Sequence, residues 1–154
     1  MLEATVCHLL RRSGENRELL LGKRVSLFCN GIWNGPGGKL RKNEKPLACL
    51  RREVREEIGI FVDTKNALHV GTVDFYHPYK SAHRLEWRVY YFNVTAWQGE
   101  PEHHPRIFDE LAWFRIDRLP YESMLPDRKI WLPLVLGDEI RSRLFTAEIY
   151  YVDA

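Results

Sequence analysis

A chain of 154 residues, 45% apolar and 29% charged, is long enough to bury one substantial core and has the composition of a globular domain, so a single domain over 1–154 is expected. Its net charge of +2 is too small to argue for nucleic acid as a partner. No run approaches 18 apolar residues, so no membrane partner is expected, and MLEATVCHLLRR lacks the pattern of a secretion signal. Cys7, Cys29 and Cys49 show neither CxxC nor zinc-ligand spacing and read as reduced thiols in a cytoplasmic protein. The apolar faces carry no unassigned excess from which an oligomer could be read.

In chain order, residues 3–10 (EATVCHLL) read as a strand, 11–17 as a turn around SGEN, and 18–24 (ELLLGKR) as the returning strand of a hairpin. NGIWNGPGGK follows. Its glycines at 31, 35, 37 and 38 allow tight turns and a close approach of backbone to a ligand. Residues 46–58 read as a helix, with Pro46 in the first turn, where a missing N–H costs nothing, and Gly59 at the left-handed stop. Residues 69–77, 86–97 and 111–116 read as strands, with turns or loops over 78–85 and 98–106. A second helix lies within 117–140, with Trp131, Leu134, Val135 and Ile140 as its core contacts, and 144–152 closes as a strand. The alternation predicts an α/β fold with helices packed on a mixed sheet.

The first helix carries an anomaly. At about 100° per residue, Leu47, Leu50, Val54 and Ile58 form a core face, and Glu53, Glu56 and Glu57 fall together beside it. Carboxylates at i, i+3 and i+4 repel one another. A helix that gathers three of them calls for a cation, and oxygen-only ligands suit a hard ion such as Mg²⁺ or Mn²⁺. Arg52 and Glu56, four apart, also suit an ordinary surface ion pair, which leaves Glu53 with Glu57 unexplained.

Residues 38–60 fit the pattern GX5EX7REUXEEXGU, with U a bulky apolar residue, at Gly38, Glu44, Arg52, Glu53, Val54, Glu56, Glu57, Gly59 and Ile60. This resembles the Nudix box, the signature of the Nudix hydrolases. The resemblance implies an α/β/α sandwich around a mixed sheet, and hydrolysis of a nucleoside diphosphate linked to another group with Mg²⁺ or Mn²⁺. It implies that Glu53, Glu56 and Glu57, with the Gly37 carbonyl, hold the metal, and that Arg52 and Glu44 pair to brace the loop against the helix. It also implies that Glu56 or a carboxylate outside the box, for which Asp109 and Glu110 are candidates, deprotonates the attacking water.

IWNGPGGK, WFRIDRLPYESMLPD and IWLPLVL are further similar to the oxidised-purine nucleoside triphosphatase branch, whose members are MutT-like and act on 8-oxo-dGTP and 2-hydroxy-dATP. By that resemblance Phe28, Asn34, Asp127 and Trp131 contact the base, and Lys39, which closes the glycine segment, contacts the substrate. An amide offers a purine edge both a donor and an acceptor, and aromatic faces hold the ring. The chain departs from the branch where a Trp and a second Asp would flank the Pro-Asp turn: here stand Leu125 and Arg128. His77 stands where a second pocket Phe would be. An Arg donates only, and so favours a base carbonyl or a phosphate over an amino group. The implied reaction is release of a nucleoside monophosphate and pyrophosphate from a nucleoside triphosphate. The alternatives are a pyrophosphatase for ADP-ribose, nucleotide sugars or dinucleotides, and a non-catalytic Nudix-fold sensor.

Overall fold

The computed structural model describes residues 1–26, 29–137 and 144–152. Strand β1 (Leu2–Ser13) turns into β2 (Asn16–Arg24) through two residues, with Gly14 at a left-handed φ of +63°. The turn expected over 11–17 is therefore shorter than the composition suggests, because one glycine suffices to reverse the chain. The glycine segment holds two short strands the sequence did not mark, β3 (Trp33–Asn34) and β4 (Gly37–Lys39). Helix α1 (Pro46–Ile58) follows, ended as expected by Gly59, whose φ is +70° and whose N–H donates to the Arg55 carbonyl.

Strands β5 (Ala67–Tyr79) and β6 (Ala82–Val94) form a long hairpin. The loop expected over 78–85 is mostly strand, because Lys80 takes a left-handed φ of +56° and closes a two-residue turn. Strand β7 (Phe108–Arg115), helix α2 (Arg128–Leu136) and strand β8 (Phe145–Tyr150) complete the described elements. No helix among the described residues is long and apolar enough to cross a membrane.

The sheet order is β3-β2-β1-β6-β5-β8, with β4 also on β1 and β7 also on β2. The pairs β1–β6 and β5–β8 are parallel and the rest antiparallel, so the sheet is mixed. Residues 4–10 of β1 are all buried, as expected of a strand covered on both faces. Alternation sends Cys7 and Leu9 to a core with Leu50, Val54 and Ile58 of α1, and Val6 and Leu10 to a core with Trp131, Leu132 and Val135 of α2. The two helices thus cover opposite faces, the sandwich the sequence implied. One expected core contact is corrected: Leu134 is 49% exposed. Helix α2 buries 131, 132, 135 and 136, and Leu134 projects about 130° away from the centre of that face. Ile140 lies outside the described residues.

Candidate active site

Glycine brings the first half of the site together. A Cβ on Gly37 would lie 2.0 Å from the Thr5 carbonyl oxygen, and one on Gly35 2.5 Å from that of Cys7, so the β3–β4 segment is pressed onto β1. A Cβ on Gly38 would lie 2.5 Å from the Glu53 carboxyl group, so only glycine lets that side chain of α1 rest against β4.

The brace between loop and helix is a forked ion pair. Arg52 Nε donates to Glu44 Oε1 at 2.8 Å and Nη2 to Glu44 Oε2 at 2.9 Å. The same guanidinium reaches the Lys39 carbonyl at 3.1 Å, Glu53 at 2.6 Å and Glu56 at 3.3 Å. One fixed fork therefore ties the loop, β4 and two of the three box carboxylates. Arg52 and a backbone bond from the Arg41 N–H hold the Glu44 carboxyl down at about 2.

Glu57 is 3% exposed, deepest of the three. Its Oε1 accepts the Gly37 N–H at 2.7 Å, and its Oε2 pairs with Arg24 Nη1 at 3.0 Å. Burial outweighs these partners and pushes its carboxyl up to about 6. Arg24 was not foreseen. It also donates to the Gly37 carbonyl at 3.3 Å and lies over the Phe108 ring, 4.8 Å from its centroid. It stands at the end of β2, and nothing in its local pattern separates it from the chain's other basic residues. Among the described residues no cluster of three or more His, Cys, Asp or Glu side chains is gathered on a common point to hold a metal ion. Arg24 and Arg52 neutralise Glu57 and Glu53 separately. Glu56 is 49% exposed at its side chain. Asp109 and Glu110 are exposed on β7 and do not line the cavity described next.

From Glu53 and Glu57 a cavity of about 960 Å³ runs along the sheet to Phe75, Tyr91, Leu125 and Arg128. Asn34 and Lys39 line it, and Asn34 Oδ1 accepts the Gly35 N–H at 2.9 Å. Phe28 lies outside the described residues. Asp127 and Trp131 are not on the cavity wall. Both are buried behind it, with Trp131 Nε1 donating to Asp127 Oδ2 at 2.7 Å and the Tyr151 hydroxyl to Oδ1 at 3.2 Å. The same carboxylate accepts Nη1 of Arg128, which takes the place on the wall. His77 lines the wall near Tyr151, its ring stacked on that tyrosine at 4.9 Å. Behind the wall, His8 Nδ1 meets Asn93 Oδ1 at 3.0 Å, and Asn93 Nδ2 donates to the Val135 carbonyl at 2.9 Å, which fastens α2 to the sheet. Burial pushes the His8 imidazole down to about 4, so it stays neutral at neutral pH.

A Nudix domain model matches residues 1–135. The chain is 35% identical over 119 residues to an oxidized purine nucleoside triphosphate hydrolase of Danio rerio, covering 77% of this chain and 71% of that one. It is 33% identical over 121 residues to the Mus musculus protein of the same name, covering 78% and 72%. A crystal structure of a MutT protein from Bacillus halodurans superposes with a TM-score of 0.77 at 24% identity, covering 99% of this chain and 91% of that one, which supports the fold. The complete box on α1, the sandwich that carries it and the match over most of the chain make this protein a member of the Nudix hydrolase family.

Proposed function

We propose that this chain, as one domain, hydrolyses a nucleoside triphosphate to the nucleoside monophosphate and pyrophosphate, with oxidised purine nucleotides such as 8-oxo-dGTP among its substrates. The names of its relatives in Danio rerio and Mus musculus support the substrate class. The observation that carries the reading is a cavity of about 960 Å³, of a volume that suits a nucleotide, with box carboxylates at one end and aromatic rings at the other.

Nudix hydrolases use divalent cations, and the donor chemistry here fits Mg²⁺ or Mn²⁺. The candidate ligands are all oxygens: Glu53, Glu56, Glu57 and the Gly37 carbonyl. Glu57 is desolvated and lies near the charge of Glu53, both of which a cation would offset. When bound, the metal supplies neutralisation of phosphate charge and a lowered pKa for the attacking water. Arg24 donates to both Glu57 and the Gly37 carbonyl, and so positions two of the groups that would hold the ion. Arg52, paired with Glu44, ties α1 to the end of β4 and so fixes the spacing of the groups that would hold the ion. Glu56, bridged to Arg52 at 3.3 Å and half exposed, is the box carboxylate most open to solvent and the one proposed to take the proton from water. Cys7, Cys29 and Cys49 are free thiols, which supports a cytoplasmic setting.

The test is a panel of substrates with Mg²⁺: normal and oxidised nucleoside triphosphates, ADP-ribose, nucleotide sugars and dinucleoside polyphosphates. Triphosphates should give the highest kcat/KM, with pyrophosphate as product. Faster turnover of a diphosphate-linked substrate than of every triphosphate would overturn the reading.

A further inference from the structure

The only charged side chain on the buried, α2 end of the cavity wall among the described residues is a donor. Arg128 is 5% exposed, yet its side chain reaches the cavity wall. Its guanidinium carbon lies 5.2 to 5.8 Å from the ring centroids of Trp131, Tyr91 and Phe75. A guanidinium has five N–H donors and no acceptor. The bond to Asp127 uses one, and Asp127 also anchors the group through Trp131 and Tyr151, so the remaining edge is held in place against the cavity. The carboxylate itself is off the wall.

Asn34, half-buried on β3 and elsewhere on the cavity lining, adds a second donor. Its Oδ1 is engaged by the Gly35 N–H, which can only donate, so the amide presents its NH₂ end as the free group. The Tyr91 hydroxyl, on a residue 1% exposed that lines the same wall, lies beside the Arg128 guanidinium and can donate as well as accept. The acidic side chains that line the cavity are elsewhere. Glu53 and Glu57 are at the α1 end, and Glu86 is 42% exposed at its side chain and paired with His77 at 3.0 Å.

A buried wall of fixed donors discriminates strongly, because a ligand that turns a donor toward them leaves both groups unpaired. Oxo- and amino-purines differ in this respect. At the 6-position the first presents a carbonyl oxygen beside N7, an edge that a guanidinium reads with two parallel bonds. The second presents an amino donor there. We propose that Arg128, with Asn34, selects nucleobases that turn a carbonyl oxygen toward this wall, so that oxo-purine nucleotides are preferred over amino-purine ones. This rests on the nucleoside triphosphate reading and gives it a substrate class that the Nudix box does not carry.

The pair dITP and dATP isolates the difference, since both lack a 2-amino group. With the full chain, Mg²⁺ and pyrophosphate release as readout, kcat/KM for dITP should exceed that for dATP by at least about tenfold. Arg128→Met, similar in length and without donors, should bring the ratio within about threefold, mainly through KM for dITP. Arg128→Lys, which keeps a donor, should leave an intermediate ratio. Asn34→Asp, on a different element, covers the case in which the Met variant fails to fold by circular dichroism, and should also lower the ratio. Equal kcat/KM for the two nucleotides in the parent chain, or an unchanged ratio in the folded variants, would overturn the proposal. An equal loss on both nucleotides would show Arg128 holding phosphate instead, and overturns it as well. If no triphosphate is hydrolysed, calorimetric binding of dIMP against dAMP decides the same question. Tighter dIMP then sinks the triphosphate reading alone, and equal binding sinks both.

Discussion

The two ends of the cavity are built in opposite ways. At the α1 end four arginine and glutamate side chains from one short stretch, Glu44, Arg52, Glu53 and Glu56, form a network around one guanidinium. At the α2 end one ion pair, Asp127 with Arg128, is closed in by aromatic groups from β5, β6 and the segment after β8. The first end is a charge network open to solvent mainly through Glu56 and, apart from Arg24, local in sequence. The second is buried and assembled from distant residues. The first network touches solvent through Glu56, whereas the second pair is desolvated throughout, and breaking it would cost several kcal/mol. The chain therefore keeps a many-membered charge network where phosphate chemistry is proposed and a single closed ion pair where a base would be read.

The largest effect that would break this contrast is on turnover. Glu56→Gln and Glu57→Gln should each lower Mg²⁺-dependent pyrophosphate release by more than about 100-fold, beyond the loss typical of an outer partner of a metal site, with far-UV circular dichroism unchanged. Full activity in both variants would remove the metal assignment from this end.

Next comes the brace. Arg52→Ala leaves Glu44 and Glu53 without their cation, and should cost about 2–3 kcal/mol, read as a lower urea midpoint at constant slope. A loss under about 0.5 kcal/mol would make the fork a surface decoration.

The pH dependence of stability separates the two carboxylates of the first end. Glu57 is raised from 4.5 to about 6, so its contribution is fully present below about pH 4.5 and is lost as pH rises through 6, a decline of about 2 kcal/mol. Glu44 is depressed to about 2, so its contribution is present above pH 4.5 and lost as pH falls toward 2. In metal-free buffer, the difference in unfolding free energy between the parent and Glu57→Gln should change between pH 4.5 and 6 and be flat above. A flat difference throughout would place Glu57 in a wetter setting than its burial implies.

At the second end, Trp131→Phe removes the donor to Asp127 and should cost about 1–2 kcal/mol, with a smaller relative change in kcat. A change confined to KM would restore the direct base contact that the family resemblance implied for Trp131. Smallest of all, Leu134→Ala should move the thermal midpoint by no more than an exposed substitution does, within about 0.5 kcal/mol.

How much of this was legible beforehand follows the same division. Helix α1 with its proline start and glycine stop, and the Arg52–Glu56 pair, were readable from rules that act within one helix, whereas the Arg52–Glu44 pair came from the family resemblance. The helices on both faces of a mixed sheet followed from the alternation of periods. Arg24 was not readable, since what distinguishes it is a meeting with Glu57 across 33 positions. Nor was the burial of Asp127 and Trp131. The resemblance marked the right segment, but exchanging a second acid for Arg128 pairs the remaining Asp inward and puts the guanidinium on the wall. Leu134 was misplaced because a helix of nine residues fits more than one apolar arc until the neighbouring sheet selects it.

The Tyr151 bond to Asp127 has a consequence for synthesis of the chain. The segment that follows β8 is made about 90 residues after the box, and β8 must lie parallel beside β5 before that hydroxyl reaches its carboxylate. As the chain leaves the ribosome, the carboxylates proposed to hold the metal are made well before Arg128 and Tyr151. Inheritance meets the same separation. Changes around 75, 91, 128 and 151 can redirect which base is admitted without touching a letter of residues 38–60, so new substrates can be tried on an unchanged hydrolytic segment.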